Sequence, residues 1–515
     1  MKKKLAGKLS LLGFFALTAT MVLDVYEYPS FSTSGLNLLF FLVVGGLLWF
    51  FPAALCAAEM ATVPEWEQGG VFTWVSETWG ERFGFAAVFF QWIQITVGFV
   101  TMIYFLLSAL AKVVDLGIVS TNPLAKTLAV LVIFWLITAS QLRGIGFTNR
   151  LVNFTFSLGV VLPAILLLVC MVLYLLSGGR FEFTAAQMNL VPDFKNVSML
   201  VVFASFILSY MGVEASAGYV NELDNPKRNY PLAMFLLVIF AVVINAIGGL
   251  SIGAVVPLDK LNLSSGVLQA FDSYLAHFHI SAGIVLKIIA FLVAFGIFGE
   301  ISSWVVGPVR GLYMAAQKGL LPPKFRKVNK SNVPIPLVLL QGAIVSIWAI
   351  ALTMFGGGDN VSFQAALSLM AVIYGLMYLL FLSGYLKYTF GQNKKLTPGY
   401  KVPGGKIGQR IIALSGLIVT LFVMFISFQS PAVLKGSEIG EYHIMLIVGT
   451  LIVLVLPFII YALNDKSAHK VKFKPVPRPI ESVNPFIKPF ARGQHEIISD
   501  EQRIKNAVKK LEEKL

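Results

Sequence analysis

Carboxylates, tyrosines and a tryptophan interrupt apolar stretches of this chain, and they are the residues whose types and spacing suit chemistry. The first group is Asp24-Val25-Tyr26-Glu27-Tyr28-Pro29-Ser30, with two carboxylates and a proline close together. The second is Ser209-Tyr210-Met211-Gly212-Val213-Glu214-Ala215-Ser216-Ala217-Gly218. The third is Glu300-Ile301-Ser302-Ser303-Trp304, followed by Gly307-Pro308-Val309-Arg310-Gly311. Glu300 and Trp304 stand i and i+4, as do Tyr374 and Tyr378 further on, so each pair shares a helix face. An ionisable residue inside a membrane span is costly and marks a path for ions or polar substrates. Plainer roles compete with that reading. Asp24 and Glu27 suit the lipid–water interface beside an aromatic belt of Tyr26 and Tyr28. Small residues around Glu214 suit close helix packing, which leaves Glu214 itself unexplained. The tyrosine pair suits packing too, although its hydroxyls need partners in a dry interior.

This is the chemistry of binding rather than of bond making. No stretch has the spacing of a Walker loop, a dinucleotide loop, a His-Glu-x-x-His zinc site or a nucleophile elbow. His277, His279, His443, His469 and His495 fall in loops, at span ends or in the tail, without metal-ligand spacing. Cys56 and Cys170 lie in apolar runs, which favours neither a disulfide framework nor a thiolate cluster. The sequence therefore predicts no enzyme, no cofactor and no metal.

The elements that position these residues are membrane spans. Of 515 residues, 57% are hydrophobic and 13% charged, against roughly 25% charged in soluble domains. A span needs about 20 mostly apolar residues. Twelve segments qualify: 9–31, 36–60, 84–111, 126–142, 152–177, 197–220, 230–256, 282–304, 335–355, 362–384, 410–429 and 442–463. With the N-terminus inside, only Lys112, Lys126, Arg180, Lys195, Lys260, Lys287 and Lys435 of the 40 Lys and Arg fall outside the cytoplasmic segments. That asymmetry predicts an even number of spans with both termini cytoplasmic. It also accounts for the net charge of +14 without nucleic-acid binding. The basic start Met1-Lys2-Lys3-Lys4 ahead of residues 9–20 lacks a following small-residue cleavage site, so it reads as a retained span.

Two domains follow: a transmembrane unit over 1–464 and a polar, basic tail over 465–515. Residues 500–515 read as a short amphipathic helix with Ile504, Val508 and Leu511 on one face, suited to a partner or to anionic lipid. Pro29 and the pair Gly212 and Gly218 weaken the first and sixth spans. Interrupted helices five spans apart predict a 5+5 inverted repeat, with spans 11 and 12 added.

Long strings of the sequence resemble the bacterial glutamate/γ-aminobutyrate antiporters of the amino acid/polyamine/organocation superfamily. They include Leu11-Leu12-Gly13-Phe14-Phe15-Ala16 through Pro29, and Cys56-Ala57-Ala58-Glu59-Met60-Ala61-Thr62-Val63. Gly69-Gly70-Val71-Phe72-Thr73-Trp74-Val75-Ser76 and Ile207 through Ser216 belong with them, and the likeness runs from about residue 8 to about residue 498. The loop Lys401-Val402-Pro403-Gly404-Gly405-Lys406 is typical of the wider superfamily.

The resemblance implies an all-α, LeuT-like fold with discontinuous helices 1 and 6, placed in the bacterial cytoplasmic membrane. It implies exchange of external glutamate for internal γ-aminobutyrate, in functional partnership with a cytoplasmic glutamate decarboxylase, for acid resistance. By motif, Tyr26, Glu214, Glu300, Trp304, Tyr374 and Tyr378 would line the substrate path, with Trp304 occluding it and Glu300 selecting substrate charge. A C-terminal plug active at neutral pH would match residues 484–495. Arg492 and His495 match basic plug residues of the family, while Asn484 and Lys488 replace histidines. One remaining plug histidine predicts a shallower pH switch. Path carboxylates and a dicarboxylate substrate repel at close range, which favours transport of zwitterionic glutamate at acidic pH. A proton-coupled importer of the same superfamily is the competing expectation. A membrane sensor would leave Glu214 and Glu300 unexplained.

Overall fold

The computed structural model describes residues 10–19, 25–64, 66, 70–142, 155, 157–217, 220, 223–331, 333–355, 358–391 and 397–464. Their main elements, in chain order, are α1 (Leu11–Ala19), α2 (Tyr28–Ser32), α3 (Asn37–Ala61), α4 (Gly70–Trp79), α5 (Glu81–Val114), α6 (Pro123–Gln141), α7 (Leu158–Leu176) and α8 (Phe203–Tyr210). Then come α9 (Val213–Ala217), α10 (Pro226–Gly253), α11 (Gly266–His277), α12 (Ala282–Gln317), α13 (Ile335–Phe355), α14 (Asp359–Phe390), α15 (Gly405–Ser427) and α16 (Glu438–Leu463). Ten of them are long and apolar enough to cross a membrane among the described residues. The expected first and sixth spans are the exceptions: both are built from short helices, α1 with α2 and α8 with α9.

Backbone chemistry explains those interruptions. Pro29 lies in the first turn of α2, where its missing N–H has no helical partner to lose. Val25, Tyr26 and Glu27 precede it outside any helix. Between α8 and α9, Met211 is extended (φ −69°, ψ 151°) and Gly212 has φ +103°, a conformation that favours glycine. The halves after and before the breaks meet: Ser30 Oγ donates to Ser205 Oγ at 3.0 Å, and the Phe31 and Phe206 rings stack at 4.5 Å. By contrast, Pro308 does not end α12, which continues to Gln317. The loss there is one backbone bond.

The helices do not share burial equally. The helix α14 is mostly buried, whereas little of α16 is. The helix α14 therefore runs through the interior, against α5, α15, α16 and α4. Large apolar side chains such as Leu136, Ile284 and Ile418 are 67%, 72% and 63% exposed, as a lipid-facing surface requires. Polar contacts join helices across the bundle. Trp92 Nε1 donates to Gln341 Oε1 at 3.0 Å, and Trp49 Nε1 to Thr420 Oγ1 at 2.8 Å. At the end where α14 begins, Lys126 pairs with Asp359 at 2.6 Å and lies over the Tyr104 ring at 3.9 Å.

Two features of the packing went unread in the sequence. One is Glu59, the fully buried carboxylate near the end of α3. Its Oε2 accepts from Tyr385 Oη and from the Val402 backbone N–H, both at 2.8 Å, and its Oε1 accepts from Gln409 Nε2 at 2.6 Å. Thr62 adds to this clasp, accepting the Tyr400 N–H at 3.0 Å on its hydroxyl and the Gly399 N–H at 3.0 Å on its carbonyl. The strings at 56–63 and 401–406, far apart in sequence, thus form one joint between α3, α14, α15 and the 397–404 loop.

The other is the approach of residue 159 to α12. A Cβ on Gly296 would sit 2.5 Å from the Gly159 carbonyl carbon and oxygen, which are backbone and cannot rotate away. Gly296→Leu should therefore cost about 3 kcal/mol or more through overpacking. Thermal melting of the detergent-solubilised protein reads this directly, and an unchanged melting point would refute the close approach.

Candidate functional site

The break between α8 and α9 builds the centre of the site. Ending α8 at Tyr210 frees the Gly212 N–H, which donates to Tyr378 Oη at 3.2 Å. Tyr378 in turn donates its own proton to Glu214 Oε2. Tyr374, one turn earlier on α14, donates to Glu214 Oε1 at 2.7 Å. Glu214 is 3% exposed, and both tyrosines are buried. The plainer role of the tyrosine pair is thus only part of the account. Their rings do pack, at 5.3 Å, and Trp49 meets Tyr378 edge-on at 4.6 Å, but both hydroxyls serve the carboxylate. Freed backbone in a membrane interior must find a partner, and here the Tyr378 hydroxyl supplies it.

Sequence reasoning missed one member of this cluster. Gln91 on α5 donates through Nε2 to Glu214 Oε1 at 2.7 Å. Its sequence signal was a glutamine inside the apolar run Phe89-Phe90-Gln91-Trp92-Ile93. A search limited to ionisable residues passes over it.

The remaining expected path residues take different places. Tyr26 is 2% exposed and lies in the non-helical stretch before α2. Glu300 and Trp304 stand one turn apart on α12, as their spacing predicted, and both are half-buried. The helix α12 runs along α5, the helix that carries Gln91. Asp24 and the plug residues Asn484, Lys488, Arg492 and His495 lie outside the described residues. Among the described residues, no group of three or more His, Cys, Asp or Glu side chains is placed to hold a metal ion. The cluster is an acidic acceptor held at a helix break by two tyrosines and an amide.

A multi-pass bundle whose expected sixth span is broken between α8 and α9, with a buried carboxylate at the break, has the architecture of a membrane transporter, and comparison with known proteins agrees. The amino acid permease family model matches residues 9–455, and the chain belongs to that family. A protein of Lactococcus lactis subsp. lactis named glutamate/gamma-aminobutyrate antiporter is 53% identical over 96% of this chain and 99% of its own. A probable agmatine/putrescine antiporter of the same organism is 23% identical over 75% of this chain and 80% of its own. The crystal structure of MhsT in complex with L-phenylalanine superposes with a TM-score of 0.50 at 16% identity, covering 82% of this chain and 99% of that one. The fold is therefore of the LeuT type, and the family consists of transporters rather than enzymes.

Proposed function

We propose that this chain is a twelve-span antiporter of the bacterial cytoplasmic membrane that takes up glutamate and releases γ-aminobutyrate by alternating access. The observation that carries this reading is the 53% identity, over nearly the whole of both chains, to a protein named for that exchange. The interrupted segments support a 5+5 inverted repeat, with α1/α2 and α8/α9 as its discontinuous helices. The distribution of Lys and Arg supports a cytoplasmic side for both termini and the 397–404 loop.

Within this reading Tyr26, Glu214, Glu300, Trp304, Tyr374 and Tyr378 line the path. Backbone groups freed at the two breaks hold the substrate α-carboxylate and amino group, Trp304 occludes the site, and Glu300 selects substrate charge. Exchange clears the product of a cytoplasmic glutamate decarboxylase, which consumes a proton at each turnover, and so supports acid resistance. The tail over 465–515 plugs the cytoplasmic mouth at neutral pH through Asn484, Lys488, Arg492 and His495.

Radiolabelled glutamate uptake into proteoliposomes tests the exchange and the plug. Uptake should require internal γ-aminobutyrate. At about pH 7.5 the full chain should be slow and at about pH 5.5 fast, bracketing the histidine range. Truncation after Asp465 should abolish that difference. Uptake indifferent to internal γ-aminobutyrate would make the protein an importer, and equal pH profiles for both chains would remove the plug.

A further inference from the structure

Glu214 shares its Oε1 between two donors of different kinds. Tyr374 comes from α14, and Gln91 stands well inside the 34-residue α5. An amide in an apolar helix is costly unless bonded, and Gln91 directs its N–H at the carboxylate. Its other side faces α12. A Cβ on Gly311 would lie 2.8 Å from Val88 Cγ2 and 3.8 Å from Gln91 Oε1, so glycine brings α12 close to the amide. Gln91 is half-buried, whereas Glu214 and both tyrosines are buried, so it forms the rim of the cluster. The helix it faces is the one that carries Glu300 and Trp304.

We propose that Gln91 is a specificity-determining residue: it positions Glu214 through a neutral donor and so sets the charge that an amino-acid substrate meets at this rim. The inference rests on the reading of Glu214 as part of the transport path. A glutamine supplies the hydrogen bond without adding charge of its own. A carboxylate at the same place would stand against Glu214 and repel an acidic substrate, and an ammonium would offset Glu214 and favour one. Charge interactions at such range are strong in a poorly solvated site. Substrates that differ by one carboxylate, as glutamate and γ-aminobutyrate differ by the α-carboxylate, are therefore those the rim separates.

The test compares KM for glutamate and for γ-aminobutyrate in proteoliposomes carrying the full chain, Gln91→Glu or Gln91→Lys. Gln91→Glu should raise the glutamate-to-γ-aminobutyrate KM ratio by roughly tenfold or more, and Gln91→Lys should lower it. Opposite shifts support the proposal, since a merely structural loss moves both constants together. If one variant fails to fold, the sign of the other's shift still decides. An unchanged ratio in a folded variant overturns the role of Gln91 while wild-type exchange stands. Absence of exchange in the wild type overturns the proposed function, and this inference with it.

Discussion

Exchange by Tyr378→Phe should fall about 100-fold, and the fall should exceed that of Tyr374→Phe by about tenfold. The difference follows from what each hydroxyl serves. Tyr374 Oη donates to Glu214 Oε1, and Gln91 Nε2 still serves that oxygen when Tyr374 is lost. Tyr378 Oη donates to Glu214 Oε2 and accepts the Gly212 N–H. Phenylalanine there strips Oε2 of this donor and leaves the Gly212 N–H at the helix break unmatched. A lost bond to a charged group costs about 1.5–3 kcal/mol, and an orphaned buried donor about 1–3 kcal/mol. One such loss slows exchange by roughly tenfold and the two by roughly 100-fold, at about 1.4 kcal/mol per factor of ten. Initial rates of glutamate uptake against internal γ-aminobutyrate, normalised to reconstituted protein, give the comparison. Equal rates in the two variants would mean that Tyr378 does not hold the break.

The same break shows what a sequence discloses. Glu214 among small residues after an apolar run stands out because nothing apolar explains a carboxylate there, and Gly212 announces a backbone that need not stay helical. Pro29 does the same for the first span. Tyr374 and Tyr378 betray a shared face by their spacing, but not that both hydroxyls converge on Glu214 (E to Y contacts spanning α9 and α14 carry no local signature). Gln91 and Glu59 escaped for related reasons. A glutamine in an apolar run is polar but unremarked when charge is the filter. Glu59 closes the string Cys56-Ala57-Ala58-Glu59 near the end of a span, where a carboxylate passes for an interfacial residue. Only tertiary structure reveals that loop 397–404 folds back over it.

Glu214 and Glu59 solve one physical problem in different ways. Each is taken from water and must be repaid in hydrogen bonds. At Glu214 the donors come from α5 and α14 while the carboxylate rides on the short helix α9, so relative movement of these helices must rearrange the bonds. At Glu59 the donors come from α14, α15 and a loop closed over the carboxylate, and the bonds fasten these parts together. The first suits a site that changes during transport, the second a joint that holds the carrier's frame.

That contrast gives the Glu59 joint its own signature. Glu59→Leu should prevent accumulation of folded protein, whereas Glu59→Gln should melt within about 1 kcal/mol of wild type. Leucine leaves the Tyr385 hydroxyl, the Val402 N–H and the Gln409 amide without their acceptor. At about 1–3 kcal/mol for each orphaned donor, the loss is on the order of 5 kcal/mol. That is comparable with the whole stability of many proteins, about 5–15 kcal/mol. Glutamine can satisfy all three. Its carbonyl oxygen placed at the Oε2 position accepts from Tyr385 and Val402. Its NH2 then faces Gln409, whose amide turns over to present oxygen in place of nitrogen. Fluorescence-detected size exclusion after heating measures both variants. Collapse of Glu59→Gln as well would show that the joint depends on the charge itself rather than on an acceptor for three donors.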